Sequence, residues 1–356
     1  MSSNFPTIFS FDGENVRFEP ITKFNWTAKI KIREYKSELI LQGIQSNGYT
    51  CSPQIGKQSL PLCKSNLQKC VRRKDSDRAI RTALAMYSYN PNEILRRIPV
   101  IMIEDSLIHP PSLVKIVWWM CAVSKGYKMS VKEVEDMLGI LATMCESNEF
   151  DVAKSLDEKP TKNIEFSALK EDQKTFIRCL ELRSIYGGMH SDKRMCYYHM
   201  DLWYKRFIEK SSDKFYEQDE YDIDISSVDK ITKDDLLIEA FDYHPYPWMG
   251  RKIAEKFQNL EQLLTEEKRE NINKAIRSGD PHSKGLWLTE EFPKVITEKN
   301  VTSSIWDCRS RLNFRIPVNT ELYRKTSPNT QRMFNIIEHE LNRLCVWLKD
   351  EIDLSE

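Results

Sequence analysis

Asn90-Pro91-Asn92-Glu93-Ile94-Leu95-Arg96-Arg97-Ile98-Pro99-Val100-Ile101-Met102 is the stretch that decides the fold class. Asn90 can accept a hydrogen bond from an orphan helix N–H, Pro91 suits the first helical position, and Glu93 can reach back as in a capping box. Behind this start, Ile94, Leu95, Ile98, Ile101 and Met102 recur at the spacing of one helix face. Pro99 is expected to kink or tighten the helix, because its ring removes a backbone donor.

The same period extends in both directions. Upstream, Ile80, Ala83, Leu84 and Tyr87 follow it. Downstream, His109-Pro110-Pro111 breaks the chain, and Leu113, Ile116, Val117, Met120 and Cys121 line a further helix that Gly126 ends. Ser130 and Glu133 form a capping-box signature before Val134, Met137, Leu138, Leu141 and Cys145. One later helix stops at Tyr186-Gly187-Gly188, and another carries Met195, Tyr198, His199 and Leu202. A last amphipathic segment carries Met333, Ile337, Leu341, Leu344 and Leu348.

The first 60 residues read differently. Val16-Arg17-Phe18 and Ile30-Lys31-Ile32 alternate, and Gly43, Gly48, Pro53 and Gly56 punctuate them. The expected fold is therefore mainly α, a multi-helix bundle with a small N-terminal β or irregular arm. The expected divisions are an arm over 1–60, a helical domain over 61–150 and a second helical domain over 170–356. A polar stretch at 146–170 and an acidic one at 211–235, with nine acids against three lysines, read as linkers or exposed loops.

Lys plus Arg equals Asp plus Glu at 53 each in the 356 residues, so no global field draws the chain to nucleic acid or anionic lipid. The longest apolar run, Ile116 to Val123, is broken by Ser124 and Lys125, far short of a membrane span. No signal-peptide pattern opens the chain. Nine scattered cysteines without a C-x-x-C read as reduced thiols, and the expected location is cytoplasmic or nuclear.

Residues 67–110 run from Leu67-Gln68-Lys69-Cys70-Val71-Arg72-Arg73-Lys74-Asp75 through Ile94-Leu95-Arg96-Arg97 to Glu104-Asp105 and His109-Pro110. This stretch resembles the C-terminal helical oligomerisation domain of the RarA-family AAA+ replication and recombination ATPases. Lys69, Val71, Arg72, Asp75, Ala79, Arg96, Arg97, Glu104, Asp105 and Pro110 carry the resemblance. It implies a helical collar used for self-association beside DNA. The family's ATPase module is absent, since no G-x-x-x-x-G-K-[ST] occurs. The family's Gly after Glu-Asp is also missing, and Pro99 interrupts the Arg-Arg helix.

Read without the family, residues 63–97 hold nine Lys or Arg against three acids. Lys69, Arg72, Arg73, Lys74, Arg78 and Arg81 are the candidate nucleic-acid-binding residues. Guanidinium groups pair with phosphate in two-point geometry and support sequence-independent binding. The alternative is a solvated helix face with ion pairs to Asp75 and Asp77. Arg309, Arg311 and Arg315, interleaved with Trp306 and Phe314, are a second candidate group. Arg96, Arg97, Glu104 and Asp105 read as ties between helices.

Three acid–histidine pairs, Asp105 with His109, His190 with Asp192 and Asp242 with His244, could hold a metal or do acid–base work if the fold joined them. Hydrogen bonding at helix ends is the plainer use, and no cofactor or metal is expected. Tyr186-Gly187-Gly188-Met189-His190 reads either as a phosphate-approaching turn or as an ordinary helix end. Asp242-Tyr243-His244-Pro245-Tyr246-Pro247-Trp248 is either a stacking platform, a partner's docking groove, or a loop packed on the core. The expected function is a non-enzymatic helical interaction protein of DNA replication or repair, binding DNA weakly, with protein partners or self-association and no membrane. A scaffold or virion-type structural protein is the alternative, and a metal-dependent hydrolase the third.

Overall fold

In a computed structural model the chain is described at residues 5–147, 149–151, 164–186, 188, 190–216, 221–241, 246, 248–253 and 328–355. It is mainly helical with a small four-stranded N-terminal sheet. Two compact units form, and neither is contiguous in sequence. The first comprises residues 1–56 and 73–231, the second 57–72 and 232–356. The helix after the arm, expected at the head of a 61–150 domain, is thus grouped with the C-terminal segment. The helices of residues 171–208 belong with those of residues 76–146.

In the first unit, β1 (Ile8–Phe11), β2 (Val16–Arg17), β3 (Trp26–Ile32) and β4 (Ser37–Gly43) make a sheet of order β2-β1-β4-β3. β1 runs parallel to β4, and the other pairings are antiparallel. Alternation buries Ile30, Ile32, Leu39 and Leu41 on one face. The β1–β2 turn closes on Asp12, which accepts from the N–H groups of Glu14 (3.0 Å) and Asn15 (2.8 Å). Phe11 and Trp26 meet Trp118, whose indole N–H donates to the Phe9 carbonyl at 3.3 Å. At Gly43 a Cβ would stand 2.6 Å from the Trp118 ring, so only glycine lets the strand pass so close.

The helices start where the local chemistry dictates. α1 spans Leu60–Arg73, α2 Ser76–Tyr89, α3 Pro91–Asp105, α4 Pro110–Val123 and α5 Val131–Glu146. Asp75 caps α2 by accepting from the Arg78 N–H (3.2 Å), and Asn90 caps α3 through the Asn92 N–H (3.0 Å). α3 continues as one helix through the buried Pro99. Ser130 and Glu133 close a reciprocal capping box on α5. The buried Glu133 carboxylate also accepts from the Trp119 indole (3.0 Å) and the Tyr127 phenol (2.8 Å), which ties α5 to α4 and to the loop after it.

α6 (Glu171–Ile185) and α7 (His190–Ile208) pack on each other, with α6 against α4 and α7 against α3. Gly188 lies between them at φ +125°, a backbone conformation that favours glycine. In the second unit, Asn66 of α1 donates to the Asp235 carbonyl (3.0 Å) and accepts from the Leu237 N–H (2.8 Å). α8 (Pro328–Glu351) joins the same segment through Lys349, which donates to the Leu236 carbonyl at 2.7 Å. Among the described residues no helix is long and apolar enough to cross a membrane.

Candidate nucleic-acid interface

The expected basic stretch falls around the end of α1 and the start of α2. Lys69 is buried on α1, since it lies within the run Leu67–Val71 that faces inward. Arg72 is half-buried, and Arg73 and Lys74 are exposed, with Lys74 at φ 60° in the turn between the helices. Arg78 turns to Asp75 at 2.7 Å, the ion pair that the solvated-face reading foresees, and Arg81 is half-buried on α2. Arg72 belongs to the second unit and Arg73 onward to the first. Arg309, Arg311 and Arg315 lie outside the described residues, as do Asp242 and His244.

The remaining acid–histidine pairs are separated into local contacts. His109 is buried at the N-terminus of α4, where its Nδ1 lies 2.6 Å from the Ser112 hydroxyl. His190 is exposed, while Asp192 is buried with Arg183 at 3.9 Å. Among the described residues no three His, Cys, Asp or Glu side chains cluster as metal ligands would. Arg96 is exposed, and its backbone carbonyl accepts from the buried Arg183 at 3.1 Å. Burial holds the Arg183 guanidinium below its usual range.

A cavity of about 50 Å³ in the first unit, lined by His109, Ser112, Lys115, Lys132, Asp136 and Tyr221, has room for a few water molecules. Its Lys132 is committed to Asp136 (3.2 Å) and Asp222 (3.5 Å). On α7, His199 and Trp203 are completely buried one turn apart. The His199 Nδ1 and the Trp203 indole N–H have no hydrogen-bond partner among the described residues. Burial pushes the His199 pKa down to about 4, with the Arg206 charge helping and Asp151 opposing.

A different arrangement stands on the surface of the second unit. The buried Phe241 ring stacks with Tyr246 (6.2 Å, 5°), and Tyr246 meets Trp248 edge-to-face (6.3 Å, 66°). Trp248 then meets Trp347 of α8 at 6.3 Å and 75°. The row runs from the core outward and ends on Trp347, 47 % exposed, beside Val346, 48 % exposed. Met249 and Ile253 bury the opposite side of the helical turn at 248–253, which fixes Trp248 on a packed base. Lys252, one turn after Trp248, holds its ammonium 5.2 Å from the Trp248 ring centre and 5.7 Å from that of Trp347. This is cation–π distance, and among the described residues no carboxylate pairs with Lys252.

Tyr246 and Trp248 stand out in the sequence as members of an aromatic, proline-stiffened segment, whereas Trp347 does not. Its signal was nonetheless present: Leu341, Leu344, Cys345 and Leu348 form the buried stripe of α8, and Val346-Trp347 are large apolar residues off that stripe. No protein-family model, curated protein or solved structure matches the chain.

Proposed function

We propose that this chain is a helical interaction protein that acts by binding nucleic acid without sequence preference, in the setting of DNA maintenance. The observation that carries the reading is Lys252 held between Trp248 and Trp347. A cation without a carboxylate partner among the described residues, set beside an exposed indole, offers phosphate contact and base contact together. Arg73 and Lys74, exposed in the first unit, are a separate source of positive charge, and the resemblance of residues 67–110 to a DNA-associated helical domain agrees with this use. The chain has no net charge, so binding is local, weak and steeply salt-dependent.

Gel retardation with mixed-sequence DNA tests it. At low salt the DNA is retarded, and affinity falls with salt on a log–log plot, each neutralised phosphate contributing about 0.7 to 0.9 to the slope. Joint replacement Arg72→Glu, Arg73→Glu and Lys74→Glu weakens all sequences alike and leaves helical content unchanged. Absence of retardation at low salt removes the reading.

A further inference from the structure

We infer that the aromatic row of the second unit selects unpaired strands, by stacking a base on the outer surface of Trp347 while Lys252 takes the adjacent phosphate. The inference rests on the nucleic-acid reading above and names the form of nucleic acid that the site takes.

The geometry narrows how a base can bind. Trp248 and Trp347 cross at 75° with centres 6.3 Å apart, so no flat ring can enter between them. Trp248 instead braces Trp347, and Tyr246 and the buried Phe241 brace Trp248 in turn. What remains open is the outward part of Trp347. A base can lie there only with its own π-face uncovered. In a duplex both faces are covered by neighbouring pairs, and the indole meets only backbone or groove edges. In a single strand the face is free, and stacking is tolerant of base identity because every base has one. Lys252 is anchored to the same two rings, with no carboxylate partner among the described residues, which places the phosphate contact beside the stacked base.

The alternative occupant of such a row is an apolar or proline-rich peptide. Lys252 argues against it, because an apolar peptide leaves the ammonium without an anion, whereas a phosphodiester supplies one.

The test uses the full chain and a short fluorescein-labelled mixed-sequence DNA, offered single-stranded and as its duplex, with anisotropy as the readout. The single strand binds more tightly than the duplex at equal salt. Trp347→Ala lowers single-strand affinity about tenfold, the worth of one stacked base, and lowers duplex affinity much less. Trp347→Phe restores most of the loss, and the largely retained duplex affinity of Trp347→Ala separates lost stacking from a folding defect. Lys252→Gln lowers the single-strand salt slope by about 0.7, one phosphate. Equal binding of strand and duplex, with Trp347→Ala indifferent to both, overturns the stacking inference while nucleic-acid binding stands. Failure to bind either form at low salt overturns the binding reading itself.

Discussion

His199 is a histidine buried in its neutral form, and its consequence for stability has a definite sign. Its folded pKa of about 4 lies below the ordinary 6.5. Between those values the unfolded chain takes up a proton that the folded chain refuses. Stability is therefore complete above about pH 6.5, falls as the pH drops towards 4, and changes no further below it, at a total cost of up to about 3 kcal/mol. Urea denaturation against pH should show this loss, and His199→Phe should flatten that part of the profile. Gly139 carries a second residue-level expectation. Alanine would ordinarily favour the middle of a helix such as α5, yet a Cβ here would lie 2.3 Å from the Tyr221 carbonyl oxygen. Backbone cannot yield as a side-chain tip does, so Gly139→Ala should destabilise by about 1 to 3 kcal/mol rather than stabilise. A rise in the urea midpoint would contradict that packing.

At the scale of elements, α6 is fastened by charge as much as by apolar contact. Arg178 pairs with Glu181 at 2.6 Å, both buried, and the Tyr35 phenol donates to the same carboxylate. The guanidinium also lies 3.8 Å from the centre of the Phe166 ring. Removing one partner leaves the other charged and buried, so Arg178→Met should cost about 3 to 5 kcal/mol. The double change Arg178→Met, Glu181→Leu should cost less than the single one, because it removes the stranded charge too. Additive losses in a double-mutant cycle would refute the coupling. Such ties are invisible in sequence: Arg178 and Glu181 read as an ordinary i, i+3 pair, and Tyr35 lies far away in the chain. The helix starts were legible because caps are local. Asn90-Pro91 and Ser130 with Glu133 each act over three or four residues. The Trp248–Trp347 meeting was not, since it depends on which face of α8 finds the 248–253 turn.

For the whole molecule, the division into units shows where local reading stops. The helical region expected over 61–150 takes in α1, but local pattern says nothing about which distant segment covers its apolar face. The cover is C-terminal: Asn66 is held on both its amide atoms by the backbone of Asp235 and Leu237. Cys63 and Cys70 are fully buried on the same helix, and burial pushes the Cys63 thiol up to about 12. A thiol so placed reacts only when its cover opens. A chain shortened to residues 1–231 keeps the first unit's segments and deletes the cover of α1. Cys63 and Cys70 should then react rapidly with a thiol reagent under native conditions. Cys121, Cys145 and Cys179, buried inside the first unit, should stay protected. In the full chain Asn66→Ala should raise the labelling rate of Cys63 without touching that of Cys121, since local opening and unit integrity are separate quantities. Mass-resolved labelling distinguishes the cases. Equal exposure of all five thiols in the shortened chain would mean that the first unit does not hold without the second. Continued protection of Cys63 would mean that the C-terminal segment is not what covers α1.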